Sequence, residues 1–478
     1  MKCFTRLLNN ETGSTVFQYL ATSLAMLSIV SSGLHYGWPS PSLKKLLADG
    51  SAIPITDDQG FWLATMNMFG ALLGSILTPF LINNIGRKKV ILLAAVPYFA
   101  AWMTIYIAWN VTVLLAARFV AGVSDGMAFS SVPIYTGEIS QAKIRGSLSS
   151  LCSITFIAGI LMINIVGSYL SIKTTALICS TVPVVLFCTF AWMPESPYYY
   201  IMKNRLEDAR RSLQTFVGPK LASSELERIH QAVKEDQSKA KTNPVELFTV
   251  RRNLKAVGVM MIVRGAQQFS GVSAIVFYAQ NIFGEAGGGL SAEAAAIAFF
   301  SVQIATCIAC AGVADRWGRR PLLLVSTVGS CAALLVEGGY FYAKTTAGAD
   351  VAGYGLVPVA ALLAYIVFFS VGLQNVPIII MSEIFNQDVK AIAMGFADIY
   401  FAFAATVTSK FFQETRDRFG MYFPFVFFAL FCLTATVLTY FFVPETKGKT
   451  LEEIQEQFKG VKGRNGGGGA SEEGDVIP

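Results

Sequence analysis

The sequence predicts an all-α membrane protein with twelve transmembrane helices in two six-helix bundles. Three observations carry that expectation. Of the 478 residues, 54% are hydrophobic and only 14% are charged, whereas soluble domains carry about 25% charged residues. Apolar stretches long enough to cross a hydrocarbon core, ~20 residues each, recur about twelve times. Three charged motifs are written twice, the second copies about 230–250 residues after the first. The first set is Asn83-Asn84-Ile85-Gly86-Arg87-Lys88-Lys89, then Pro133-Ile134-Tyr135-Thr136-Gly137-Glu138-Ile139 with Arg145-Gly146, then Pro194-Glu195-Ser196-Pro197. The second is Asp315-Arg316-Trp317-Gly318-Arg319-Arg320, then Ser382-Glu383-Ile384-Phe385 with Lys390, then Pro444-Glu445-Thr446-Lys447.

The first six spans fall near 16–37, 60–82, 90–109, 111–135, 147–170 and 174–193. The second six fall near 254–282, 293–313, 321–342, 355–381, 391–413 and 421–443. This divides the chain into a first bundle (1–200), a linker with short helices (201–252), a second bundle (253–445) and a tail (446–478). The polar start, Met1 to Thr15, precedes an apolar stretch that reads as a retained first span rather than a cleaved leader. Arg87, Lys88, Lys89, Lys143, Arg145, Arg316, Arg319, Arg320 and the basic residues of the linker all fall on one face of a twelve-span chain. The positive-inside rule makes that face cytoplasmic, together with both termini. Lys44, Lys45, Arg416 and Arg418 are exceptions on the other face.

In the linker, Leu206, Ala209, Leu213 and Phe216 form a helical stripe, and Ser224-Glu225-Leu226-Glu227 has the form of a capping box. Gly466 to Gly469 and the acidic end have the composition of a disordered tail. The eight cysteines are scattered; Cys307 and Cys310 form a CxxC in mid-span, where small residues at i and i+3 pack helices. Asn110-Val111-Thr112 is a glycosylation sequon that abuts the membrane. The net charge of +6 is spread over loop clusters, which gives no nucleic-acid surface. With two histidines, His35 and His230, and no clustered ligand or nucleophile spacing, neither an enzyme nor a metal or cofactor site is expected.

The motifs name a family. Asp315-Arg316-x-Gly318-Arg319-Arg320, Pro133-x-Tyr135-x-x-Glu138-Ile139 with Arg145-Gly146, Pro194-Glu195-Ser196-Pro197, Gln267-Gln268-x-Ser270-Gly271 and Pro444-Glu445-Thr446-Lys447-Gly448 occur in order. Along nearly its whole length the chain resembles sugar porters of the major facilitator superfamily. Gly37-Trp38-Pro39-Ser40-Pro41 and Pro194-Glu195-Ser196-Pro197-Tyr198-Tyr199-Tyr200 look most like the insect facilitated trehalose transporter-like branch. The resemblance implies the major facilitator fold, a sugar as the small-molecule partner, the plasma membrane as location and a monomer in the bilayer.

It also implies roles for residues. Arg87, Glu138, Arg145 and Glu195 would form one cytoplasmic gate network and Arg319, Glu383, Lys390 and Glu445 the other, holding the inner ends together while the site faces outward. The family usually has Arg at the positions of Asn84 and Lys390. Gln267 and Gln268 would contact the sugar, Tyr278 would gate the outer side, and Gln303 stands where the family often has an amide. Much of the hexose set is replaced: Ser153 for a glutamine, Ser273 for an asparagine, Ile378 for a tryptophan, and Phe401-Ala402 for Asn-Trp. A wide or different pocket follows, to which Gln374 and Asn375, beside Pro377, can add polar contacts or merely pack helices.

Three charges lie inside spans: Asp125, Arg264 and Asp398. A bare charge there is costly, so each should pair or face a cavity, and an Asp125–Arg264 interaction is one expectation. Glu337 is expected near the outer interface and His35 as a hydrogen-bonded helix-end residue. No Asp or Glu occurs between Glu11 and Asp49, so the first-span acid of proton-coupled sugar porters is missing. Facilitated diffusion is the expected mode. A proton-coupled or anion-accepting carrier using Asp125 and Arg264 is the alternative, and a sugar sensor on a carrier fold is a second.

Overall fold

Apolar length decides the helices, and a few breakers divide them. The computed structural model describes residues 11–238, 246–287, 290–310, 316–349, 351–385, 387–449 and 453–454. The side chains of Lys143 and Arg145, Asp315, and the tail residues 450–452 and 455–478 lie outside the described part. Among the described residues there is no strand. The elements are α1 (Glu11–Gly37), α2 (Pro39–Leu46), α3 (Asp57–Ile85), α4 (Arg87–Ile107), α5 (Val111–Ile139), α6 (Ala142–Tyr169), α7 (Ile172–Cys179) and α8 (Thr181–Phe190). The linker carries α9 (Pro197–Met202), α10 (Leu206–Val217), α11 (Pro219–Ser238) and α12 (Glu246–Thr249). Then come α13 (Arg251–Phe269), α14 (Val272–Ala286), α15 (Ala292–Ala309), α16 (Arg319–Thr345), α17 (Val357–Val371), α18 (Val376–Ile384), α19 (Gln387–Phe419) and α20 (Tyr422–Phe442).

Among the described residues, twelve helical segments are long and apolar enough to cross a membrane. Four of them are pairs of helices end to end: α7 with α8, α13 with α14, α17 with α18, and also α1 with α2. Gly271, with φ of +87°, makes the second of these breaks. Pro377 in the first turn of α18 follows the third, where its missing N–H costs nothing. Four helix starts outside the linker are capped by side chains: Thr56 and Gln59 form a capping box, Asn110 accepts from the Val113 N–H at 2.9 Å, and Ser171 and Ser291 cap α7 and α15. Asn110 and Thr112 of the sequon are therefore an N-cap and first-turn residue. One cap expectation fails. Ser224 lies inside α11, which starts at Pro219 directly after Gly218 ends α10; the Pro at the first position set the boundary, not the Ser-x-x-Glu pattern.

Within the first half α3 packs on α5, α1 on α6, and α4 on α5; within the second, α16 packs on both α17 and α20. The α3–α5 crossing is closed by Gly70 and Gly74 against Gly122 and Gly126, small residues four apart that let two backbones touch. The halves meet through α6 with α15, α3 with α19, and α2 with α14. Polar groups gather in three places: mid-membrane between the halves, at the linker face, and at the far face.

Candidate functional site

The mid-membrane group begins at the break in the seventh span. Arg264 donates from one terminal nitrogen to Gln267 Oε1 at 3.0 Å and from the other to Asp398 at 3.3 Å. Its guanidinium lies over the Phe401 ring, 5.1 Å from the centroid. Gln267 Nε2 donates to the Gln374 carbonyl at 3.2 Å, a carbonyl freed by the break before α18. Gln303 Nε2 donates to Gln374 Oε1 at 3.0 Å. Ser153 of the first half donates to Asn375 of the second at 2.9 Å. Ser273 donates to Gln268 Oε1 at 2.7 Å and shares a hydrogen bond with Tyr36 of the first half at 3.0 Å. Seven of the eight expected contact residues thus fall in one seam of amides and hydroxyls between the halves. Gln268 Nε2 and Gln303 Oε1 are buried in it with no protein partner among the described residues. One is a donor and one an acceptor, and leaving either unmet costs about 1–3 kcal/mol. A sugar hydroxyl, which donates and accepts, can satisfy both kinds.

Several expectations change. Tyr278, the eighth residue, is buried and stacks on Phe412 of α19 at 5.4 Å. That ring contact is within the second half, while Arg416 of α19 and Asp57 of the first half are among its charged neighbours. Asp125 and Arg264 do not pair. Asp125 accepts from Asn67 at 2.8 Å and Tyr98 at 2.6 Å inside the first half, while Arg264 takes Asp398 in the second. The rule that a buried charge needs a partner held; the partner was nearer in space than the charge count indicated. His35 forms no ring hydrogen bond among the described residues; it is sandwiched between Trp102 (4.1 Å) and Tyr98 (5.5 Å). Its carbonyl instead accepts from Arg118. Glu337 is fully buried, and neither of its carboxylate oxygens has a hydrogen-bond partner among the described residues. Tyr36 was missed, since a tyrosine near a span end reads equally as an interface anchor.

At the linker face the three motifs that occur twice build the same device twice. Arg87 binds Glu138 through Nε at 3.1 Å and a terminal nitrogen at 2.9 Å, and Ser196 also donates to Glu138. Arg319 binds Glu383 at 2.8 Å, and Thr446 donates to Glu383 at 2.6 Å. Glu195 and Glu445 were expected to join the arginines; they cap helices instead. Glu195 accepts from the Lys88 N–H at 2.9 Å, and Glu445 from the N–H groups of Arg319 and Arg320, both at 3.0 Å. A carboxylate at a helix start meets unpaired donors and the positive end of the dipole. Gly86 and Gly318, with φ of +99° and +93°, turn the chain there, and a side chain at either would run into that carboxylate. Lys390 does not pair with Glu383: its ammonium donates to the Ser382 carbonyl at 2.9 Å. Both arginine–carboxylate pairs lie within a half, so they brace each half rather than joining the two.

Burial pushes the Glu445 carboxyl up, but the N–H groups of Lys447, Arg319, Arg320 and Thr446 outweigh it and hold it below the ordinary glutamate value. Its stabilisation is therefore complete above the unfolded value, ~4.3, and is lost as pH falls through the lower folded one. The difference in melting temperature between wild type and Glu445→Gln should stay constant above pH ~5.5 and shrink on acidification below ~4.3. A difference that does not change with pH would remove Glu445 from the cap.

At the far face the ion pairs do join the halves. Lys44 meets Glu293 at 2.5 Å, Lys410 meets Asp58 at 2.7 Å, and Arg416 meets Asp57 at 3.3 Å. Lys44 and Arg416 are two of the cations that broke the one-sided pattern of basic loops. Gln280 adds a bond to Ser168 at 2.7 Å. The cross-half polar contacts among the described residues thus run from the seam outward to the far face. The conformation is closed there. No group of three or more His, Cys, Asp or Glu among the described residues could hold a metal ion.

Residues 13–458 match the family model described as "Sugar (and other) transporter". Among curated proteins, the facilitated trehalose transporter Tret1 of Apis mellifera ligustica is 32% identical over 444 residues, covering 92% of this chain and 87% of that protein. Tret1 of Bombyx mori is 32% identical over 438 residues, covering 92% and 86%. Among solved structures, the inward-open xylose transporter XylE from E. coli superposes with a TM-score of 0.77 at 19% identity, covering 92% of this chain and 99% of that one. The proton:xylose symporter XylE bound to 6-bromo-6-deoxy-D-glucose superposes at 0.74 with 20% identity, covering 93% and 100%. These two likenesses speak to the fold, which is that of the major facilitator superfamily.

Proposed function

The chain belongs to the sugar (and other) transporter family, a multi-pass membrane protein of the major facilitator fold, and on that premise we propose that it carries trehalose or a hexose by facilitated diffusion. The observation that carries this reading is the seam between the halves, where Gln268 Nε2 and Gln303 Oε1 are buried without partners beside Gln267, Gln374, Asn375 and Ser153. Neutral amides and hydroxyls suit a neutral polyol, and two halves meeting at the site suit alternating access. Trehalose comes from the names of the insect relatives.

Arg264 is paired with Asp398, so it offers an anionic cargo no spare charge. Asp125 is held by Asn67 and Tyr98 within the first half. Both observations favour uniport of a neutral solute over the proton-coupled or anion-accepting reading. The bundles at 1–200 and 253–445, the linker at 201–252, a cytoplasmic linker face with cytoplasmic termini, the plasma membrane and a monomer complete the proposal. The alternating device has its far face closed by the three ion pairs that join the halves, and opening it means exchanging them for water.

Uptake of labelled trehalose, glucose and fructose into vesicles at two pH values tests the reading. At least one sugar should equilibrate without accumulating against its gradient, the pH gradient should not drive it, and Gln267→Ala should raise its apparent KM. Accumulation driven by the pH gradient would establish symport, and uptake of none of the three would end the sugar assignment.

A further inference from the structure

Beyond the seam itself, and resting on the reading of Gln267 as a sugar contact, we propose that Arg264 and Asp398 are positioning residues that fix which way the Gln267 amide faces.

A side-chain amide ordinarily can turn over, exchanging its oxygen and nitrogen at small cost. At Gln267 two neighbours forbid it. The guanidinium of Arg264 only donates, so the amide atom 3.0 Å from it is the oxygen. The Gln374 backbone carbonyl only accepts, so the atom 3.2 Å from it is the nitrogen. Turning the amide over would face N–H against N–H on one side and oxygen against oxygen on the other. Both bonds would be lost and both contacts would become repulsive.

Arg264 sits three residues before Gln267, on the same face of α13. It is buried, and a buried guanidinium needs holding. Asp398 holds it from α19 at 3.3 Å, and the Phe401 ring, one turn further along α19, lies under it. Asp398 itself is half exposed, whereas the arginine it holds is buried. The line of bonds Asp398–Arg264–Gln267–Gln374 ties the broken seventh span to the tenth and eleventh.

The consequence is a polarity. With one lone pair of its oxygen taken by Arg264 and one hydrogen taken by Gln374, Gln267 keeps one N–H and one oxygen lone pair for a substrate. The two cannot exchange places. The N–H meets any accepting sugar oxygen, ring and bridging oxygens included, whereas the lone pair meets only a hydroxyl.

A double-mutant cycle tests the arrangement, using whichever of labelled trehalose, glucose or fructose the wild type takes up. Surface-labelled protein normalises every variant. The paired variant Arg264→Gln with Asp398→Asn leaves no bare charge and so keeps folding and function separable. It should raise apparent KM several-fold, on the order of the tenfold that 1.4 kcal/mol represents, with maximal rate within about twofold of wild type. Added to Gln267→Ala, the same pair should change KM by less than about twofold, because its action passes through that amide. Arg264→Lys, which keeps a donor facing the amide oxygen, should give an intermediate KM. Effects that multiply in the triple variant, or an unchanged KM in the paired variant, would overturn the positioning role. An unchanged KM in Gln267→Ala alone would overturn the sugar-site reading on which it rests.

Discussion

Gly122→Val is expected to leave almost no folded carrier. Gly122 sits where α5 crosses α3, and a Cβ there would lie 2.9 Å from the Gly70 Cα and collide with the Asn67 carbonyl. Those are backbone atoms of a helix, which cannot swing aside as a side chain tip can. Gly126 meets the Ala71 carbonyl in the same way one turn on, so α5 cannot escape by sliding along α3. Overpacking inside a soluble core costs about 1–3 kcal/mol. Here the helices must part over two turns and give up the close packing that drives association in lipid, so the loss should reach or exceed the top of that range. Asn67 also donates to Asp125, so parting the helices strips a partner from a buried acid. Gly137→Ala on the same helix is the control, since a Cβ there meets nothing within 4 Å. Size-exclusion profiles of the detergent-extracted variants decide the matter. A monodisperse Gly122→Val protein with wild-type thermal stability would mean that the crossing is looser than described.

Arg87→Ala has the second largest expected effect, and a larger one than Arg319→Ala. Both remove the cation from a twofold brace, but the surroundings differ. The Glu138 side chain is 14% exposed and that of Glu383 is 25% exposed. A stranded carboxylate is worse off the less water it sees, and removing one partner of a buried pair costs about 3–5 kcal/mol. The first half should lie near that figure and the second below it. Because each pair lies inside one half, the loss is of rigidity in the part that has to move as a body. Uptake per surface molecule should fall in Arg87→Ala, fall less in Arg319→Ala, and recover partly in Arg87→Ala with Glu138→Ala, which strands no charge. If the double variant is no better than the single, the pair is not the unit that matters.

Properties carried by contiguous residues are legible in the sequence alone. A run of apolar side chains long enough for the bilayer is a span wherever it occurs, so the number and approximate limits of the spans were legible. Motifs written twice announced two halves. Which charge meets which was not legible. Glu195 and Glu445 look like partners for arginine, yet they cap helices, because a helix start offers backbone donors that no residue letter displays. Arg264 looked toward Asp125, yet Asp398 holds it, since pairing depends on which helix faces lie side by side. Lys44 and Arg416 looked like exceptions to a loop rule until folding set acidic residues of the opposite half against them. Local chemistry is written along the chain, whereas the neighbours that decide a charge's role come from segments hundreds of residues away, and only packing brings them within reach.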